Sequence, residues 1–192
     1  GQSAVEKRQK IADWLSDQGL DRTVITALDS IAWLFNIRGT DVQHTPVGLS
    51  FAVVNKDATA ELYIAPEKVT AEVQAHLGNS VRVIDQQEFT AALSQWKDVK
   101  VALDPERAVA AIFTALEQAG AQIVRHRDPV VLPKAIKNQV DLDGTRNAHV
   151  RDGVAISRFL RFMEENAHLG GMDELSAAAK LRAFREESGQ LL

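Results

Sequence analysis

Between Asn36 and His44 the chain carries Asn36, Arg38, Asp41 and His44, and the run is closed by Pro46. A guanidinium, a carboxylate and an imidazole lie there on one short stretch. A guanidinium grips carboxylates or backbone carbonyls, and an imidazole both donates and accepts hydrogen bonds. The stretch comes directly after Trp33, Leu34 and Phe35, residues that belong in a core. Loops held by rigid elements commonly carry binding groups. The plainer alternative pairs Arg38 with Asp41 and leaves Gly39 to make a turn. Composition does not choose between the two.

Other chemistry is sparse. The five histidines are His44, His76, His126, His149 and His168. None lies in H-E-x-x-H, and no two share a helix face four residues apart. Phosphate-binding glycine loops and the G-x-S-x-G elbow are also missing from the sequence. The stretch "TRNAHVRDGVA" is denser, with Asn147, His149, Arg151 and Asp152 close together. They cannot all face one side of a helix. A solvated face with local ion pairs is one reading, and a face toward a domain interface or site mouth is the other.

The elements that must hold these residues emerge from pattern. Ser3 with Glu6 forms a capping box, and Val5, Ile11, Ala12 and Leu15 continue as a helix that ends at Gly19. "TVITAL" (23–28) reads as a strand buried on both faces. "LSFAVVN" (49–55) and "ELYIA" (61–65) read as a hairpin. A helix is expected from Pro66 to Gly78, then the strand "VRVID", the short helix "QEFTAALSQW" and the strand "VKVALD" (99–104). A helix from Pro105 to Gly120 and the strand "QIVRH" complete the set. This is an α/β pattern, a parallel or mixed sheet covered by helices. After "DPVVLP" (128–133) no strand pattern remains. A long helix runs from about Asn138 to Asn166, "HLGG" breaks it, and a second runs from Asp173 to about Ser188.

The chain has 192 residues, is 45% hydrophobic and carries a net charge of −4. That balance, without a dense basic face, argues against nucleic acid as a partner. With no cysteine there is no disulfide, thiolate zinc site or cysteine nucleophile. No apolar run reaches the roughly 20 residues needed to span a bilayer. The expectation is a cytoplasmic protein with neither a membrane nor a nucleic acid as partner.

The residues also carry a resemblance. "DSIAWLFNIRGTDVQHTP" with "LSFAVV" after it resembles the signature of the middle domain of the long, three-domain aminopeptidase P (Xaa-Pro aminopeptidase) family. "LPKAIKNQVDLDGTRNAHVRDGVAISRFLRFMEE" is similar to the passage from that middle domain into the catalytic domain. "ELSAAAKLRAFREESG" is similar to the family's next segment, and "GQSAVEKRQKIADWL" to the middle domain's first helix. The resemblance implies a creatinase N-terminal-like α/β domain over residues 1–133. It further implies, over residues 134–192, the helical start of a truncated pita-bread peptidase domain.

The family removes the N-terminal residue from peptides with proline second. It uses two divalent ions, usually manganese, that activate a water. Its ligands (two Asp, one His, two Glu) fall beyond the matched segments. No residue here is therefore carried over as catalytic or metal-ligating, and no cofactor is expected in this chain. The chain reads as a non-catalytic fragment, inactive alone, whose partners are its own missing catalytic domain, a second copy in a homodimer, and the parent's peptide substrate. Arg38, Asp41 and His44 are the candidates for a substrate mouth or interdomain contact. The other class of function is a stand-alone binding or dimerisation module, pairing through Ala155, Phe159, Leu160 and Phe162. A small complete enzyme with a novel site is a third option.

Overall fold

The computed structural model describes residues 1–190. It divides into two compact units, Gln2–Ile136 and the residues from Lys137 onward.

The first unit opens with helix α1 (Ala4–Asp17), whose capping box joins Ser3 and Glu6 in both directions. Strand β1 (Arg22–Ile25) comes next, then helix α2 (Leu28–Phe35). Here the structure departs from the sequence expectation. The strand stops at Ile25, and Leu28 opens a helix with Ile31, Leu34 and Phe35 on its buried side. A continuous apolar run does not distinguish a buried strand from a buried helix, so periodicity could not place this boundary.

Strands β2 (Ser50–Asn55) and β3 (Ala60–Ile64) form the expected antiparallel hairpin. The next expected helix is split. Pro66–Lys68 makes one 3-10 turn, and helix α3 (Ala71–Leu77) restarts at Thr70, whose hydroxyl accepts from the Val73 N–H. Strand β4 (Val81–Ile84), helix α4 (Phe89–Leu93) and strand β5 (Lys100–Leu103) come next. Helix α5 (Ala110–Ala119) begins five residues after Pro105. The Asp104 carboxylate accepts the Glu106 N–H and its carbonyl accepts the Ala108 N–H, and this holds residues 105–108 in turns first. Strand β6 (Gln122–Arg125) and the short helix α6 (Val131–Ala135) close the unit.

The sheet is mixed, in the order β4-β3-β2-β1-β5-β6. Strand β2 pairs antiparallel with both neighbours, and the other pairings are parallel. Successive residues of the central strands point to opposite faces. Ile25, Ala52, Val54, Leu62 and Ala102 join one core with Ile11, Leu15, Ile31, Leu34 and Phe35. Val24, Val53, Tyr63, Val101 and Leu103 join the other with Phe89, Leu93, Trp96, Ile112 and Leu116. Both faces are covered, which is why these strands read as unbroken apolar runs.

The second unit is a helical hairpin of α7 (Gln139–Asn166) and α8 (Glu174–Glu186). Asn138 and Asp173 cap the two helices. Asp152 takes two hydrogen bonds from Arg185, at 2.6 and 3.2 Å, and Arg158 donates to Glu187 at 2.6 Å. Phe162 meets Phe184 edge to face, with Lys180 over both rings. No described helix is long and apolar enough to cross a membrane.

Candidate functional site

The site is built around the C-terminal end of α2. A helix leaves its last carbonyls without intrahelical partners, and its dipole makes that end negative. Asn36 turns the chain through the left-handed region (φ 54°), and its own N–H returns to the last turn. Three side chains from different places supply the remaining donors. Lys7 of α1, only 5% exposed, donates to the Trp33 carbonyl at 2.7 Å and to Asn36 Oδ1 at 2.5 Å. Arg38 folds back, and its Nη1 donates to the carbonyls of Ala32 (3.2 Å) and Ile37 (2.8 Å). His76 of α3 donates through Nε2 to the Phe35 carbonyl at 2.9 Å.

Asp41 does not pair with Arg38. Its Oδ2 accepts from Lys68 Nζ and from the Leu49 N–H, both at 2.6 Å. The Lys68 ammonium, and next the Leu49 N–H, hold the Asp41 carboxyl below the usual carboxylate range. Between these anchors residues 42–47 form a tight excursion, with a bridge from Val42 to Thr45 and His44 at φ 60°. Gly39 is required by contact. A Cβ there would come within 2.8 Å of Gly48 Cα and N.

These residues border a cavity of about 510 Å³. Its apolar wall is Leu62 and Ile64 of β3 with Val69 and Val73; Arg38, Asp41, Lys68, Glu72 and His76 supply its polar groups. Of the three expected site residues, Arg38 and Asp41 line the cavity. His44 sits exposed on the excursion and does not. Sequence reasoning missed Lys7, Lys68 and His76. Each acts across 26 to 41 positions, and no local spacing marks such pairs.

In the second unit, His149 donates through Nδ1 to the Thr145 carbonyl, one turn back on its own helix. Ala155 is buried and Phe162 is engaged by Phe184, while Leu160 is exposed. Among the described residues no three His, Asp or Glu side chains converge as a metal would need. Those side chains do not fit a two-ion centre. What the cavity geometry can do is bind.

Fold and cavity together define a doubly covered, mixed-sheet α/β domain whose ligand-sized hollow lies at a helix C-terminus. The chain belongs to the creatinase/prolidase N-terminal domain family, which it matches over residues 1–141. A probable Xaa-Pro aminopeptidase P of Penicillium rubens is 36% identical over 97% of this chain and 32% of its own length. Xaa-Pro aminopeptidase 1 of Dictyostelium discoideum is 31% identical over 97% of this chain and 30% of its own length. The chain thus spans about a third of the curated relatives it matches. Among solved structures, an X-prolyl aminopeptidase from Caenorhabditis elegans superposes with a TM-score of 0.87 at 28% identity. The match covers 97% of this chain and 31% of that one, which is described as a cytosolic enzyme with a di-nuclear active site. An Xaa-Pro dipeptidase from Bacillus anthracis superposes at 0.70 with 14% identity, covering 97% of this chain and 50% of that one, and shares the fold.

Proposed function

We propose that the chain is the non-catalytic part of an Xaa-Pro aminopeptidase, which removes the N-terminal residue from peptides with proline second. The observation that carries this is the superposition on the Caenorhabditis elegans enzyme across 97% of the chain. In this reading residues 1–133 are the creatinase N-terminal-like domain and 134–192 begin the pita-bread domain. The metal ligands, for two divalent ions such as manganese, lie on the catalytic domain that is this chain's partner. The whole works in the cytoplasm as a homodimer.

Within it, Arg38, Asp41 and His44 serve the substrate mouth or the interdomain contact. Arg38 is the strongest of the three. Its guanidinium is already fixed by two carbonyls, so little side-chain entropy remains to be lost on binding.

The test takes the polypeptide that carries both this chain and the catalytic domain, with added manganese, on Xaa-Pro peptides. Hydrolysis abolished by a chelator is the expected result. Arg38→Ala should then raise KM or lower turnover without changing the unfolding midpoint by more than a cap substitution does. Absence of Xaa-Pro hydrolysis would overturn the reading, and unchanged kinetics in Arg38→Ala would remove Arg38 from it.

A further inference from the structure

One edge of the cavity beside the α2 cap is left unused by the fold. From Arg38 to Thr40 the backbone is neither helix nor strand. Among the described residues its N–H and C=O groups make no hydrogen bond. Backbone groups seek partners, and a run of unpaired ones beside a hollow is a template for a second main chain. The run is held in place from both sides. Gly39 packs backbone to backbone on Gly48, and Asp41 is fixed by Lys68 and Leu49. At the near end, Arg38 spends Nη1 on two carbonyls. Its Nε and Nη2 make no hydrogen bond among the described residues.

The cavity itself selects the kind of ligand. About 510 Å³ lies within the usual range for ligand sites, roughly 300–1,000 Å³, and exceeds one side chain of ordinary size. Its apolar wall is Leu62, Ile64, Val69 and Val73. Arg38 and Lys68 are balanced by Asp41 and Glu72, so the hollow focuses no net charge and offers nothing special to a phosphate. A small apolar molecule would fill the hollow and leave the backbone edge unused.

We propose that this site binds an extended peptide. The peptide's main chain pairs with Arg38–Thr40, and one apolar side chain enters the cavity. The choice of a peptide ligand rests on the peptidase reading above, and the inference adds a subsite for residues beyond the proline. Main-chain pairing supplies sequence-tolerant affinity, and the cavity supplies the preference.

The experiment is a titration of the isotope-labelled chain with Ala-Pro-Leu-Gly, monitored by NMR. The expected result is saturable shifts at the Arg38–Thr40 amides and at the methyl groups of Leu62, Ile64, Val69 and Val73. Ala-Pro-Glu-Gly should bind about tenfold more weakly, since a carboxylate enters an apolar wall. Alternate amides of a strand face alternate ways. N-methylation of either the Leu or the Gly amide, but not both, should therefore cost about fivefold, near the value of one hydrogen bond. No shift up to about 10 mM peptide, a very weak limit, overturns the proposal, as do shifts confined to other surfaces or equal affinity for the Leu and Glu peptides. The same peptides are given to the polypeptide that carries the catalytic domain. Cleavage there with no shift here overturns this site and leaves the peptidase reading standing. Saturable shifts here without cleavage there support the site and overturn only the peptidase reading.

Discussion

Lys7 and Trp33 meet twice. The buried ammonium of Lys7 donates to the Trp33 carbonyl at 2.7 Å and also lies 4.1 Å from the centre of its ring. The carbonyl belongs to the negative end of α2, and the ring face is itself electron-rich. A buried lysine is costly unless so matched. Lys7→Met keeps the stem and removes the donor, leaving the Trp33 carbonyl with only the long 3.4 Å bond from the Asn36 N–H and taking the ammonium from Asn36 Oδ1. The expected loss is about 2 kcal/mol in urea unfolding. A loss near zero would mean water replaces the ammonium and that the pairing is incidental.

Gly39 and Gly48 make a contrasted pair. A Cβ at Gly39 meets backbone at 2.8 Å, where nothing flexible can yield, whereas one at Gly48 meets Ile64 Cδ1 at an ordinary 3.6 Å. Neither has a positive φ, so the difference is steric and not conformational. Gly39→Ala should cost about 1–3 kcal/mol, and Gly48→Ala should fall within about 0.5 kcal/mol of the parent. Thermal unfolding of both variants checks this. Equal stabilities would show that the two backbones are free to separate.

Much of this fold is legible in the sequence because it is written locally. The capping boxes at Ser3–Glu6, the hairpin around residues 56–59 and the α7 and α8 caps use residues a few positions apart. The α2 helix has a period, with Ile31, Leu34 and Phe35 at helical spacing and Asp29 exposed, but it is eight residues long and runs on directly from the apolar strand, which masks where it starts. Pro105 and Glu106 resemble a helix start, but Asp104 takes the first donors into a turn. The candidate site was half legible. Arg38 and Asp41 stand out by type; Arg38 folds back on the Ala32 and Ile37 carbonyls close by in the chain, whereas Asp41's partner, Lys68, is decided by tertiary placement. The same distance effect hid His76, which reaches Phe35 from another helix.

The Asp41–Lys68 pair sets an acid response. Its Lys68 hydrogen bond, with the Leu49 N–H, holds the Asp41 carboxyl below its unfolded value. The stability this contributes is full above the unfolded pKa, about 3.9, and is lost as pH falls through the lower folded value. Both side chains keep some exposure, 20% for Asp41 and 32% for Lys68, so the pair is worth less than about 1 kcal/mol. Asp41→Asn should lower the urea midpoint slightly at neutral pH, and the gap to the parent should close below the ordinary carboxylate pKa. A gap that persists in strong acid would assign the effect to packing.

Asp128 should behave in the opposite sense. It lies 5% exposed after β6, with its N–H donated to Asp104 Oδ2 at 2.8 Å and its Oδ1 accepting from Val130 at 2.8 Å. Its Oδ2 and the Ser30 hydroxyl are both buried, and neither reaches a hydrogen-bond partner among the described residues. Burial raises the Asp128 carboxyl, helped by the nearby Asp104 charge, against the Val130 N–H and Lys134, which pull it down. With the folded pKa above the unfolded one, the favourable contribution is present below the unfolded value and is lost as pH rises through the folded value. At neutral pH the chain therefore carries the cost of a buried charge. Asp128→Asn keeps the acceptor for Val130, removes the charge and gives an N–H that Ser30 can accept. The variant should be more stable than the parent by about 1 kcal/mol at neutral pH, and the difference should shrink toward zero as both states of the parent become protonated. Unfolding midpoints of the two proteins across the acid range decide it. A parent that is the more stable at neutral pH would mean that the Val130 and Asp104 contacts need the charge, and that this corner of the fold is held by an anion and not in spite of one.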